Sequence, residues 1–292
     1  MTSEVEPKVV PFLSWSSLIT NLATSNQTRL ISKVLLVTQP RAGTSHNEIL
    51  ALQVAAHQKG WDVLPAPPGW RLDDDLIKSG VKGVPYGSQT FCEVIAMQMN
   101  WTLKANSFDW LARVPKDFLK RKVEFMTLGE AKKIQETKFI KPADDKVFPA
   151  KVYAPGTLIV SEVISDDTPT LVSDVVEFDL EYRCFVHTGG IVTTWSNYIC
   201  YDHIAEPDYW DMVPIRYSEN KLDRMLPWEF VQELCRSHIV TAPSVVDVGR
   251  IKGKGWAIIE TNQAWASGIY GCDPDGVLDV LEDSCETHTP QS

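Results

Sequence analysis

The stretch Val175–His187 (VVEFDLEYRCFVH) constrains the chain most, because it alternates apolar and polar residues over its whole length. Side chains of a strand point to opposite faces with period two, so Phe178, Leu180, Tyr182, Cys184 and Val186 share one face. Glu177, Asp179, Glu181 and Arg183 share the other. A polar face of this kind belongs either to an exposed edge strand or to a site, and only matching polar groups on other strands favour the site.

A second strand supplies them. Trp256–Asn262 (WAIIETN) sets Ile258, Glu260 and Asn262 on one face, so that a carboxylate and an amide project side by side. Oxygen donors of this type suit magnesium, which keeps water and substrate phosphate in its remaining positions. Thirteen residues before Glu260, Asp247 lies in an apolar strand (SVVDVG), where an unpaired carboxylate is costly. A salt bridge to Arg183 or Arg250 explains it as well as a metal does. Lys141 ends the run KFIK before Pro142, and Lys146 and Lys151 follow. Lysines at strand ends are commonly solvated, whereas in a phosphate site they act as mobile point charges.

Around these strands the pattern predicts two kinds of structure. Lys33–Thr38, a helix over Glu48–Lys59 stopped by Gly60, and Trp61–Leu64 form a strand–helix–strand order, hence a small α/β lobe ending near Arg113. Phe91–Met99 has helical character within it, and Phe12–Leu22 is a weakly amphipathic stretch. Beyond Pro115 come helical runs at Pro115–Lys122 and Leu128–Gln135, and strands at Lys138–Lys141, Ala150–Tyr153, Leu158–Val163, Val175–His187, Ile191–Tyr201, Ser244–Ile251 and Trp256–Asn262. Leu226–His238 is the strong helix among them. The expected division is 1–113, 114–285 and a tail over 286–292.

Composition narrows the chemistry. A net charge of −10 over 292 residues argues against nucleic acid as a main partner. The densest basic run, Lys116–Lys122 (KDFLKRK), reads as a solvated helix face. Six scattered cysteines show neither C-x-x-C nor metal spacing and read as reduced thiols. With no apolar stretch of signal or membrane-spanning length, the cytoplasm is the expected compartment. No G-x-S-x-G elbow, Walker A sequence or G-x-G-x-x-G is present.

Taken in order, F-I-K-P (Phe139–Pro142), S-E-V-I (Ser161–Ile164), E-Y-R (Glu181–Arg183), Asp247 and E-T-N (Glu260–Asn262) resemble the ATP-grasp superfamily. The runs FIKPADDKVFPAKVY and NQAWASGIYG resemble its bacterial and phage-type clade named for one arginine and two lysines; the resemblance covers about residues 84–280. It implies an α+β fold of two lobes clasping a nucleotide, preceded by the α/β lobe. It implies ATP and Mg2+ as cofactors, and a small-molecule carboxylate and an amine (amino acid or peptide) as substrates joined through an acyl-phosphate. Carried over by position, Lys141 contacts the nucleotide phosphates and Lys146 is the second lysine. Glu162, Val163 and Ile164 form the hinge strand that reads adenine, Arg183 stabilises the γ-phosphate or acyl-phosphate, and Asp247, Glu260 and Asn262 hold magnesium. Ser267, Tyr270 and Tyr86–Gln89 are placed by the same analogy in the acceptor pocket. One departure is that Ala143–Ala150, where many such enzymes carry a glycine-rich flap, has no glycine. A phosphotransferase or a non-catalytic nucleotide-binding protein could use the same residues.

Overall fold

The computed structural model describes residues 33–37, 46–144, 146–198 and 227–288. The stretch Phe12–Leu22 lies outside them, as do the ends of the predicted strands at Thr38 and Tyr201.

Three sheets carry the fold. The first is parallel, with β1 (Val34–Val37) between β2 (Asp62–Pro65) and β3 (Gly83–Tyr86). The link from β1 to β2 is helix α1 (His46–Gln58), as parallel pairing requires a crossover. Gly60, at φ 76°, takes the left-handed turn that ends this helix. The four apolar residues of β1 are all buried, as befits a central strand covered on both faces. Helix α2 (Gln89–Met99) follows β3, its Ser88 side chain accepting from the Phe91 N–H, and leads to β4 (Trp101–Leu103).

A second, antiparallel sheet has the order β5 (Val123–Thr127), β8 (Pro169–Ser173), β6 (Lys138–Pro142), β7 (Lys151–Tyr153). The third, also antiparallel, runs β10 (Ile191–Tyr198), β9 (Phe178–His187), β11 (Ser244–Ile251), β12 (Gly255–Gln263), with helix α3 (Trp228–Arg236) between β10 and β11 in the chain. Helix α4 (Pro274–Asp283) and β13 (Cys285–Thr287) then return to the first part of the chain. Val277, Leu278, Val280 and Leu281 join the core of the parallel sheet, and β13 pairs with β4.

The alternation of Val175–His187 holds from Phe178 onward, with Leu180, Tyr182, Cys184 and Val186 all in one buried cluster. The strand predicted at Leu158–Val163 does not form. Leu158 and Val160 turn into the core of the second sheet while Ile159 and Val163 stay exposed, so the alternation reflects burial of single side chains without a ladder partner. The strand actually used is β8, and β5 is a further strand that periodicity did not mark. The helix expected over Leu128–Gln135 is one turn, Leu128–Ala131, held by a capping box between Thr127 and Glu130. Cys92, Cys184, Cys235, Cys272 and Cys285 form no disulfide, and burial raises the pKa of each thiol. Among the described residues no helix is long and apolar enough to cross a membrane.

Candidate active site

Antiparallel registry puts the polar residues of the third sheet on one rung. Arg183 of β9 lies opposite Asp247 of β11, and Asp247 lies opposite Glu260 of β12. Residues directly opposite share a face and interact, so a cation and two carboxylates, Arg183, Asp247 and Glu260, line up across three strands. Arg183 is 6 % exposed and Asp247 is fully buried. Their contact is a two-pronged one, with Nε donating to Oδ1 at 3.0 Å and Nη2 to Oδ2 at 2.8 Å. Arg183 Nη1 also donates to the Gly268 carbonyl at 2.9 Å, and the guanidinium lies 4.1 Å from the centre of the Tyr270 ring. Burial pushes the Asp247 carboxyl up against the pull of Arg183.

Both Asp247 oxygens accept from Arg183 within the sheet, so Asp247 anchors Arg183, while each oxygen keeps a second lone pair that a cation could use. Of the two partners open to it from sequence, Arg183 is the one used. Arg250 instead grips Asp179, at 2.9 Å through both Nε and Nη2.

Glu260 is reached from the other antiparallel sheet. Lys141, on β6, extends its ammonium across the gap to Glu260 Oε2, while Asn262 Nδ2 donates to Oε1 at 2.9 Å. Burial alone would raise the Glu260 carboxyl; the charge and hydrogen bond of Lys141, the Asn262 amide and the charge of Arg183 outweigh it and hold the group at about 2. Glu260 is therefore an anion under all ordinary conditions. A cleft opens at this contact, bounded by Lys141 and Leu171 on one side, Glu260 and Asn262 on the other, and Asn106 and Phe108 at its end.

The donor set fits a magnesium–nucleotide group. A hard carboxylate and an amide oxygen stand together on β12, Lys141 faces them across the cleft, and a nucleotide's own oxygens would complete the coordination. Among the described residues no group of three or more His, Cys, Asp or Glu is placed to bind a metal without such help.

Other expected residues fall elsewhere. Glu162, Val163 and Ile164 form a turn closed by Ile164 N–H donating to the Ser161 carbonyl at 3.0 Å, with Val163 91 % exposed. That is not a hinge strand. The backbone that crosses from the second sheet to the third is Asp174–Glu177, between β8 and β9. Lys146 is exposed in the loop between β6 and β7. Just before it, Asp144 Oδ1 accepts from Gln89 Nε2 of α2 at 2.9 Å. Tyr86 and Ser267 do come together, the buried Tyr86 hydroxyl donating to the Ser267 carbonyl at 2.8 Å, and Gly87 N–H donates to the Trp265 carbonyl at 3.1 Å.

Sequence reading missed Arg121. It belongs to the run taken for a solvated helix face, yet it is 8 % exposed. Its Nη1 donates to the Ile258 carbonyl at 2.7 Å and its Nη2 to the Ile259 carbonyl at 2.9 Å. The register of β11 with β12 slips between Asp247–Glu260 and Val248–Ile258, so Ile259 is the extra residue of a β-bulge. Arg121 binds the carbonyls of that bulge and so fixes the backbone next to Glu260. Nothing in a Lys/Arg run distinguishes the one member that turns inward.

The model of the ATP-grasp domain of the clade named for one arginine and two lysines, family 2, matches residues 118–280. The chain belongs to this family. Among solved structures, the ATP-grasp ligase PsnB complexed with minimal precursor is 11 % identical, with a TM-score of 0.48, over 86 % of this chain and 99 % of that one. D-alanyl-alanine synthetase A from Vibrio cholerae O1 biovar eltor str. N16961 is 14 % identical, with a TM-score of 0.47, over 86 % and 94 %. D-alanine–D-alanine ligase from Bacillus anthracis complexed with ATP is 12 % identical, with a TM-score of 0.44, over 87 % and 96 %. No curated protein sequence matches. As an ATP-grasp protein the chain is an ATP-dependent carboxylate–amine ligase with ATP and Mg2+ as its cofactors, and the α+β architecture is that of the family.

Proposed function

We propose that this ATP-grasp protein activates a small carboxylate as an acyl-phosphate and passes the acyl group to the amine of an amino acid or peptide. The observation that carries the reading is the meeting of Lys141 and Glu260 across the cleft, with Arg183 on the same sheet rung as Glu260. Phosphoryl transfer asks little covalent chemistry of a protein; it asks for alignment and for neutralised charge on the transferring oxygens. Lys141, Glu260 and Asn262 at the cleft are groups of that kind.

Lys141 draws the phosphates of ATP into the cleft, and Lys146, in the exposed loop beyond it, closes on the γ-phosphate when the acceptor is bound. Arg183, held rigid by Asp247 and the Gly268 carbonyl, presents its guanidinium to the charge that develops during transfer. Glu260 and Asn262 would hold the magnesium, which would supply neutralising charge to the phosphates. Asp247, one strand away, adds its charge to the field at that position. The adenine lies against the crossing segment Asp174–Glu177, whose backbone joins the two sheets, and not against 162–164. The parallel sheet, with the returning α4 and β13, forms the acceptor-side unit and the two antiparallel sheets form the nucleotide-binding unit, so the tail expected over 286–292 begins as a paired strand where it is described; the reaction takes place in the cytoplasm.

The test is a screen of amino acids, short peptides and small carboxylates for ADP release, with mass spectrometry of the products. An amide with ADP and phosphate in equal amounts supports the reading. A phosphorylated product without released phosphate replaces it with a phosphotransferase, and no ADP with any pair leaves a binding protein.

A further inference from the structure

Arg183 is held on its Asp247 side by a buried carboxylate, and its outer face rests on a loop outside every strand and helix that is tied to β10 by the Ser196 hydroxyl donating to the Tyr270 carbonyl at 2.7 Å. That loop is Gly268–Tyr270. Its Gly268 carbonyl accepts from Arg183 Nη1, and its Tyr270 ring lies against the guanidinium at 4.1 Å. Tyr270 adopts φ 44°, a left-handed conformation that residues other than glycine avoid, and Gly271 follows at φ 80°. A backbone in that region persists only when its surroundings impose it.

A second polar tie on Tyr270, this one to its N–H, comes from the parallel-sheet part of the chain. Glu48, in the first turn of α1, accepts the Tyr270 N–H on Oε1 at 2.8 Å. Its second oxygen lies against Gly268, 3.3 Å from where a Cβ would stand there. One carboxylate thus touches both ends of the loop segment that carries the carbonyl and the ring against Arg183. Tyr86, donating to the neighbouring Ser267 carbonyl, fixes the loop's entry.

We propose that Glu48 is a positioning residue for Arg183, acting through the Tyr270 amide: the α1 unit sets the angle of the guanidinium that faces the transferring phosphate. The catalytic consequence rests on the ligase reading above; the positioning itself does not. Loss of the Glu48 acceptor removes the tie on the Tyr270 N–H and loosens the ring and the Gly268 carbonyl against Arg183, while the Asp247 grip on the guanidinium remains. Because the contact is needed for alignment and not for binding ATP, the loss falls on turnover.

The experiment compares Glu48→Ala and Glu48→Gln with the wild-type full chain, with two readouts. The first is the nitrogen-15 NMR signal of Arg183 Nε–H, which needs no turnover. It stays sharp in wild type and in Glu48→Gln, whose amide oxygen still accepts from Tyr270, and broadens or moves in Glu48→Ala. The second is steady-state ADP release, in which Glu48→Ala lowers kcat about tenfold with KM for ATP nearly unchanged while Glu48→Gln stays within about threefold of wild type. An unaltered Arg183 signal in Glu48→Ala overturns the proposal whatever the kinetics. Equal loss of kcat in both variants with the Arg183 signal intact also overturns it, since the carboxylate charge would then act on substrate directly. If wild type releases no ADP while the signal still responds to Glu48→Ala, the positioning stands and the ligase reading falls.

Discussion

Lys141 and Glu260 meet from two different sheets, a lysine of β6 with a carboxylate of β12, and in the proposed site each is the group that the other would leave for a magnesium–nucleotide to enter. The pair keeps the cleft walls electrically matched. Binding then exchanges one set of opposite charges for another, so that neither the ammonium nor the carboxylate is left unpaired in a half-buried place.

It follows that Glu260→Gln and Asn262→Ala abolish turnover and magnesium-dependent ATP binding while the fold survives, since both residues line the cleft and neither belongs to the apolar core. Calorimetric titration with and without Mg2+ and far-UV circular dichroism check this. Full activity in either variant removes that residue from the site.

The acidity of Glu260 gives a pH signature. Its folded-state pKa, about 2, lies below the ordinary 4.5, so its contribution to stability is complete above pH 4.5 and is lost as pH falls toward 2. Asp247, whose carboxyl is raised chiefly by burial and in part by the Glu260 charge, titrates in the opposite sense, and the variant removes only that lesser part of its shift. Denaturant titrations of wild type and Glu260→Gln are expected to show the gap between them closing over that acid window and constant above it.

Arg183→Lys keeps the charge but cannot reproduce the two-pronged grip on Asp247. Removing one partner of a buried pair costs about 3–5 kcal/mol, and a retained ammonium softens that cost without restoring alignment. The expected variant folds with a lowered melting temperature and loses about a hundredfold in kcat, the scale of one preorganised donor. Near-normal turnover at reduced stability would leave Arg183 a structural partner of Asp247 only.

The two lysines should separate kinetically. Lys141 is fixed on β6 before Pro142 and already faces the cleft, so Lys141→Ala weakens ATP binding itself. Lys146 is exposed on a loop, and Lys146→Ala lowers kcat more than it raises KM for ATP. Calorimetry with steady-state kinetics distinguishes them; equal loss of affinity would show both acting in the ground state.

Arg121→Met strips the bulge carbonyls of Ile258 and Ile259 of their donor. Each buried carbonyl left unmet costs about 1–3 kcal/mol. Thermal melts should show that loss, and titrations should show weaker Mg2+–ATP binding, because the unsupported bulge carries Glu260. A variant that melts lower with unchanged affinity would confine Arg121 to packing.

Much of this site was legible because strand alternation is local: Arg183 on the polar face of its strand, and Glu260 beside Asn262, follow from period two alone. What joins them is not local. The rung from Arg183 through Asp247 to Glu260 depends on cross-strand register, which alternation does not encode, and on a bulge at Ile259 that leaves no mark in an apolar run. Ser161–Ile164 matched a hinge motif in letters, but the turn at Ala154–Thr157 and the lack of a neighbouring strand leave it outside every sheet among the described residues. Arg121 was hidden for the reverse reason, its inward turn being decided by a carbonyl far along the chain.

The pairing of β13 with β4 bears on how the protein is made. Residues 285–287 complete a ladder begun at 101–103, and α4 fills the core under the parallel sheet. On the ribosome the first sheet therefore emerges long before its last wall does, and must wait, with apolar surface uncovered, while residues through the third sheet are synthesised. Chain segments generally fold as they appear, from the N-terminus onward. Here the parallel sheet is closed only once α4 and β13 have been made, so its apolar surface stays uncovered through most of synthesis.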